Sequence, residues 1–404
     1  MSDKSRKVDI ATQLVHGGER QPPPNGQPVT TPIYSSATFT YDSMEQFDRV
    51  FGSEEAGFVY TRYGNPTISA LEEVVRIIEE GATSCAFATG MAALHAALLA
   101  CDLRAESVVL ASQDLYGAST SLLQNIFGLF RVKTVLADFG DLDKLRATAR
   151  ESRPQAMLAE TISNPLLKIC DIEGCAEIAR EAGARLIVDN TFASPYLCQP
   201  LKLGADLVLH SATKYLAGHA SVMGGLVISR DEIDSLSLVS VMKLVGGVLG
   251  VYEAHEILRG LKTLAVRMDR QCDNAEKLAT HLQSDDRVRR VYYPSLAGQR
   301  EAALAKRILR NPHNGALVTI ELKDQSRKSA FAFMDALRVC VRSTSLGDVF
   351  SSVLHPATAS HRDLTPARRQ ELGISDGLVR LSVGIENISD IIADVDQALS
   401  EAFP

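Results

Sequence analysis

Leu207-Val208-Leu209-His210-Ser211-Ala212-Thr213-Lys214 is the stretch whose reading decides the fold. A short apolar strand leads directly into a hydroxyl-bearing turn that ends in a single amine. About 25 residues upstream of Lys214, Arg185-Leu186-Ile187-Val188-Asp189 makes the same move, from an apolar run to one polar side chain. Further short apolar runs occupy residues 107–110, 132–135, 156–159 and 226–228, and amphipathic stretches such as 141–152 and 172–182 lie between most of them. This alternation predicts an α/β fold with a mostly parallel sheet covered by helices on both faces.

Beyond about residue 255 the pattern changes to long amphipathic helices, for example 271–283, with sparser strands at 317–321 and 378–382. A smaller C-terminal α+β domain is expected there. Its last helix has Asn387 or Ser389 as a cap and Ile391, Ile392, Val395 and Leu399 at helical spacing. The first sixty or so residues read as irregular, with Gln21-Pro22-Pro23-Pro24-Asn25-Gly26 in the middle, and such a segment builds no core of its own. The expected division is an arm over 1–62, a larger cofactor-binding domain over 63–255 and a C-terminal domain over 256–404.

The 404 residues are 46% hydrophobic and 23% charged, with a net charge of -7. A chain of this size buries a sizeable core, and its charge argues against nucleic acid or an anionic membrane surface as partner. A small molecule is the better expectation. The opening residues Met1-Ser2-Asp3-Lys4-Ser5-Arg6-Lys7 carry no apolar signal core, and no stretch approaches the roughly 20 apolar residues that span a bilayer. A cytoplasmic location is expected. Seven scattered cysteines show neither paired nor zinc-ligand spacing, and the histidines make no His-x-x-x-His pattern, so free thiols and no metal are expected.

Ligands of open α/β sheets collect at the carboxyl ends of the strands, so the residues found there carry the chemistry. Asp189 and Lys214, in that order, suit pyridoxal 5'-phosphate: the lysine forms a Schiff base, and the carboxylate keeps the pyridine nitrogen protonated so that the ring withdraws electrons. Asp189-Asn190-Thr191 also suits a simple turn or helix cap. Thr89-Gly90-Met91-Ala92 is a glycine turn opening an alanine-rich helix, an anion site whose small residues admit a phosphate. Ser211 and Thr213 offer hydroxyls to the same phosphate, or cap the turn. Tyr116 follows the strand near Val108 and either stacks on a cofactor ring and assists proton transfer, or packs structurally. Arg380, inside a short strand, either grips an amino-acid carboxylate or makes a structural ion pair.

Taken together, these segments resemble the Cys/Met-metabolism PLP family, the transsulfuration enzymes of fold type I. The matching pieces are Tyr60-Thr61-Arg62-Tyr63-Gly64-Asn65-Pro66-Thr67, Thr89-Gly90-Met91, Asp114-Leu115-Tyr116-Gly117, Ser163-Asn164-Pro165, Val188-Asp189-Asn190-Thr191, Ser211-Ala212-Thr213-Lys214-Tyr215, Ser345-Leu346-Gly347 and the run from Val379 to Glu386. The resemblance implies that Lys214 carries the cofactor, Asp189 faces its ring nitrogen and Tyr116 stacks on it. It assigns the phosphate to Gly90, Met91, Ser211 and Thr213, and the substrate carboxylate to Ser345 and Arg380. It further implies that Tyr60 and Arg62 reach the phosphate of a neighbouring subunit, making the active unit at least a dimer, commonly within a tetramer.

Within the family, Leu346 stands where the β-lyases typically carry an aromatic. Val59 and Thr344 stand where cystathionine γ-lyases tend to have acids, and Ala118 where methionine γ-lyases usually have a cysteine. Val59-Tyr60-Thr61-Arg62-Tyr63 and the run from His355 to His361 are more similar to cystathionine γ-synthases and O-acylhomoserine sulfhydrylases. The expected reaction is therefore γ-replacement on an O-activated L-homoserine by a sulfur nucleophile. γ-Elimination from methionine, cystathionine or another γ-substituted amino acid such as canavanine is the alternative. One departure stands out: where the family often reads Gly-His-Ser-Asp after the lysine, this chain has Gly218-His219-Ala220-Ser221.

Overall fold

The computed structural model describes residues 26–296 and 302–404. The Pro22-Pro23-Pro24 part of the expected arm lies outside them. Met1–Pro32 and Ile33–Pro404 are separate units, and the fold described here is that of the second.

Seven strands make the larger sheet: β1 (Thr83–Phe87), β2 (Val108–Ser112), β3 (Lys133–Ala137), β4 (Ala156–Glu160), β5 (Arg185–Asp189), β6 (Leu207–His210) and β7 (Gly225–Ser229). Their order across the sheet is β1-β7-β6-β5-β4-β2-β3. The five central and outer strands from β6 to β3 pair in parallel, while β7 is antiparallel to both β6 and β1. Leu186, Ile187 and Val188 are fully buried, as a strand covered on both faces requires, and each burial is worth roughly 1.5–3 kcal/mol. The chain runs from β2 outward to β3 and then back to β4 on the other side of β2. That reversal opens a crevice at the carboxyl ends of β2 and β4, where a ligand is expected.

The helices obey local rules legible in the sequence. Thr89 caps the helix Gly90–Ala100, its hydroxyl accepting from the Ala92 N–H at 3.0 Å. Asp141 caps Leu142–Ser152, and the helix Ile172–Ala182 ends at Gly183 with φ of 69°. Asn387 caps the last helix, Ile388–Ala402, whose Ile391, Val395 and Leu399 are buried as the spacing predicts. One expectation fails: the stretch read as irregular contains a helix, Met44–Phe51, capped by Ser43 and carrying stacked Phe47 and Phe51 rings at 6.1 Å. Its apolar Met44, Phe47, Val50 and Phe51 stand at helical spacing, a signal that the irregular reading passed over.

The smaller sheet takes β8 (Val288–Tyr292), β9 (Leu317–Leu322), β10 (Val341–Arg342), β11 (Ser352–Leu354) and β12 (Leu378–Ser382) in the order β10-β11-β12-β9-β8. β12 lies between β11 and β9, with Arg380 opposite Leu354 on one side and Thr319 on the other. The Thr319 hydroxyl donates to the Pro165 carbonyl at 2.7 Å, which ties this sheet to the loop after β4. That contact brings Arg380 to the mouth of the larger sheet. Among the described residues no helix is long and apolar enough to cross a membrane.

Candidate active site

A cavity of about 690 Å³ lies between the two sheets, and its wall holds Gly90, Met91, Tyr116, Asp189, Ser211, Thr213, Lys214 and Arg380. Eight of the side chains or glycines chosen from the sequence thus converge on one space. A larger cleft of about 920 Å³, bordered by Val74, Ile77, Glu80, Tyr196, Lys202 and Leu258, holds none of the residues chosen from the sequence. Ser345 reaches the cavity through Lys214, whose Nζ donates to the Ser345 hydroxyl at 3.3 Å. Tyr60 and Arg62 lie outside this wall. Arg62 donates to the Lys243 carbonyl, and its guanidinium sits 4.7 Å from the Tyr63 ring and 5.5 Å from that of Tyr60.

Each strand end contributes by position. Glu160 closes β4, Asp189 closes β5, and the register places them opposite each other. His210 closes β6 and leads through the Ser211–Lys214 turn, in which the Lys214 N–H donates to the Ser211 carbonyl at 3.1 Å. Tyr116 follows β2 and caps the short helix Gly117–Ser121, with its backbone N–H donating to Glu160 Oε1 at 2.6 Å.

Electrostatics follow from burial. Desolvation, then the nearby Arg380 charge, push the Lys214 amine below the ordinary lysine range, and Asp348 opposes this. Asp189 is pushed up by burial, with Thr191 opposing: the Thr191 N–H donates to Asp189 Oδ1 at 2.9 Å and holds that carboxyl toward its charged form. Glu160 is pushed well above the carboxylate range, by burial first and then by the charge of Asp189. Arg380 is 2% exposed and is lowered to about 10 by burial, so it remains a cation near neutral pH.

Pyridoxal phosphate fits these residues on structural grounds. At the start of the Gly90–Ala100 helix, a Cβ on Gly90 would come within 2.9 Å of the Ser211 Cβ and 3.0 Å of its hydroxyl oxygen. The missing side chain therefore keeps a cradle between a helix N-terminus and a serine hydroxyl, a setting for a phosphate. Thr213 is less free than expected: its hydroxyl donates to the Gly224 carbonyl at 3.3 Å and accepts from the Gly224 N–H at 3.1 Å. Lys214 offers an amine, Asp189 a carboxyl for a ring nitrogen, and buried Arg380 Nε has no hydrogen-bond partner among the described residues. An unpaired buried donor of this kind awaits a ligand.

Several residues in the cavity wall or beside it escaped the sequence reading. Glu160 ends a strand beside Asp189, and the rule that selected Asp189 applied to it equally. Asn164, quoted above within a motif, accepts from Arg380 Nη1 at 2.9 Å, and the Phe192 ring lies 5.7 Å from the Arg380 guanidinium carbon. Asp348 is 1% exposed, and its Oδ1 accepts from the Ala220 N–H at 2.8 Å. A buried acid therefore braces the very loop in which Ala220 and Ser221 replace the usual pair.

The family model described as Cys/Met metabolism PLP-dependent enzyme matches residues 11–400. The chain is 39% identical over 398 residues to an L-methionine gamma-lyase of Fusobacterium nucleatum, covering 98% of this chain and 99% of that one. It is 40% identical over 400 residues to an L-methionine gamma-lyase of Pseudomonas putida, covering 99% of each. The solved cystathionine gamma synthase from Xanthomonas oryzae pv. oryzae, in complex with aminoacrylate and cysteine, superimposes with a TM-score of 0.87 at 38% identity over 93% of both chains. The chain belongs to the Cys/Met metabolism PLP-dependent enzymes, and the large sheet with its smaller C-terminal partner is the fold type I arrangement.

Proposed function

We propose that this member of the Cys/Met metabolism PLP-dependent family replaces the γ-substituent of an O-activated L-homoserine with a sulfur nucleophile. The observation that carries the reading is the composition of the cavity wall. Beside Lys214 and Arg380 its apolar part is formed by Ile162, Phe192, Met223, Leu346 and Leu354. Such a wall suits an uncharged substituent such as an O-acetyl ester. A side chain ending in an amine or guanidinium needs a carboxyl to meet it. The carboxyls in the wall, Glu160 and Asp189, already accept from the Tyr116 and Thr191 backbones.

Pyridoxal phosphate supplies the electron sink that makes protons on the α- and β-carbons removable. The chain's own residues supply the rest. Arg380 takes the substrate carboxylate, with Asn164 and the Ser345 carbonyl fixing the plane of its guanidinium. Lys214, its amine pushed by burial below the ordinary lysine range, takes the α-proton and returns a proton to the substrate. Tyr116 stands over the cavity to assist departure of the γ-substituent. The apolar wall restricts water, which favours capture by the sulfur nucleophile over hydrolysis.

Tyr60 and Arg62, which lie apart from their own cavity, are assigned to the phosphate of a neighbouring subunit in a homodimer or a dimer of dimers. γ-Elimination to a 2-oxo acid and ammonia is the second reading, favoured by the two relatives named L-methionine gamma-lyase. The test is to incubate the purified enzyme with O-succinyl- or O-acetyl-L-homoserine, with and without sulfide or cysteine, and separately with L-methionine and L-canavanine. A thioether or thiol product formed in step with nucleophile consumption is expected. Release of 2-oxobutanoate from L-methionine with no nucleophile consumed, at a rate above the replacement rate, overturns the reading.

A further inference from the structure

Directly behind the cofactor cavity lies a polar group that the chemistry above does not use. Glu79, at the end of the helix Pro66–Glu79, is 0% exposed, and His210, the last residue of β6, is 1% exposed. His210 Nε2 lies 2.6 Å from Glu79 Oε1. The same oxygen accepts from Asn190 Nδ2 at 3.3 Å, and Asn190 Nδ2 also donates to the Cys198 carbonyl at 2.8 Å. Asn190 Oδ1 in turn accepts from the Thr161 hydroxyl at 2.7 Å. His210 Nδ1 and Glu79 Oε2 have no hydrogen-bond partner among the described residues. The tautomer that leaves only a lone pair at Nδ1 is the one with the proton on Nε2, donated to Glu79.

Strand alternation explains where this group sits. Leu209 borders the cavity, so His210 points to the opposite face of the sheet, and Asn190 does the same one residue after Asp189. Glu79 Oε1 therefore joins the residue next to Asp189 with the residue next to Ser211. Those are the two strand ends to which the ring nitrogen and the phosphate are assigned. A carboxyl with one oxygen unsatisfied in a fully buried place is a poor stabiliser of a core, where apolar side chains of similar size would pack as well or better.

We propose that Glu79, His210 and Asn190 form a brace that holds the ends of β5 and β6 in register, so that Asp189 and Ser211 grip the two ends of the cofactor together. These are positioning residues, since none of them borders the cavity. The inference rests on Asp189 and Ser211 holding the cofactor. The titratable groups facing the brace are Asp189, on the side of His210, and Cys198, on the side of Glu79.

The test uses Glu79→Gln, Glu79→Ala and His210→Asn, with Asp189→Asn as reference. For each protein, affinity for pyridoxal phosphate, melting temperature with and without cofactor, and the pH midpoint of the bound cofactor's visible absorption are measured. Loss of a hydrogen bond to a carboxyl group predicts about a tenfold weaker affinity. The gap between holo- and apo-protein melting temperatures then narrows, because the stabilisation by binding grows with the logarithm of the affinity. Glu79→Gln keeps the side-chain shape and so serves if the alanine variant fails to fold. It is expected to weaken binding about threefold and to displace the absorption midpoint. Equal falls in both melting temperatures, with affinity and midpoint unchanged, overturn the brace as a mere contributor to stability. An Asp189→Asn protein with normal affinity and spectrum overturns the assignment of Asp189 and, with it, this inference. An altered Asp189→Asn beside unaltered Glu79 and His210 variants overturns the brace alone.

Discussion

Nη1 of Arg380 lies 2.9 Å from Oδ1 of Asn164, so a fully buried guanidinium is paired with a neutral amide. Among the described residues no carboxylate stands within salt-bridge distance of it. Nη2 meets only the Ser345 carbonyl, at 3.3 Å, and Nε meets nothing. The positive charge is fixed in orientation and left uncompensated, as the binding of an incoming carboxylate requires.

Arg380→Lys is expected to raise KM for amino-acid substrates on the order of a hundredfold, because a point charge cannot reproduce two directed hydrogen bonds. Cofactor affinity should change far less. Steady-state kinetics beside cofactor titration checks this, and equal losses in both would assign Arg380 to structure.

Lys214→Ala should abolish the visible absorption of the lysine-bound cofactor and lower turnover by at least about a thousandfold, within the range of a lost acid–base group. An absorption spectrum suffices. An unchanged spectrum would mean that another amine carries the cofactor.

Gly90→Ala puts a methyl group 2.9 Å from the Ser211 Cβ. Either the helix start or the serine must give way, and cofactor affinity is expected to fall about tenfold. Calorimetric titration of the apoprotein measures it. Unaltered affinity would remove this pair from the phosphate site.

His361 is 3% exposed and is lowered to about 4, by burial first and then by the charge of Arg380. Between its ordinary value near 6.5 and about 4 the unfolded chain binds a proton that the native protein refuses. The stability tied to this residue is therefore present above about pH 6.5 and lost as the pH falls toward 4, by roughly 3 kcal/mol in all. His361→Gln should flatten the acid limb of melting temperature against pH. A limb as steep as before would mean that other groups govern it.

Glu160 works in the opposite sense. Its carboxyl is raised by burial and then by Asp189, so its contribution to stability is full at low pH and is lost as the pH climbs through the raised value. Glu160→Gln should leave the fold unchanged at low pH and flatten the alkaline decline. Melting curves taken from acid through alkaline pH provide the check.

The apolar runs from 107 to 229, the helix starts near Gly90 and Asp141 and the Asn387 cap were readable from the sequence alone. Strand alternation, helix spacing and capping act over a few residues, and short-range sterics and hydrogen bonding enforce them. The same locality placed Asp189, Tyr116 and Lys214 at strand ends and Gly90 at a helix start. The antiparallel run of β7 was not legible, because pairing direction leaves no periodic signal, whereas the helix at Met44–Phe51 carries apolar residues at helical spacing that the irregular reading passed over.

Tertiary structure decided what those residues can do. Arg380 became a free cation only because Asn164, 216 residues away, rather than an acid, came to meet it. Lys214 met Ser345 across 131 residues, Glu79 met His210 across the same separation, and Glu160 came to lie opposite Asp189 through strand register. Charge, protonation and hydrogen-bond partners are set by who is near and how much water is removed, and no local pattern of residues encodes either one.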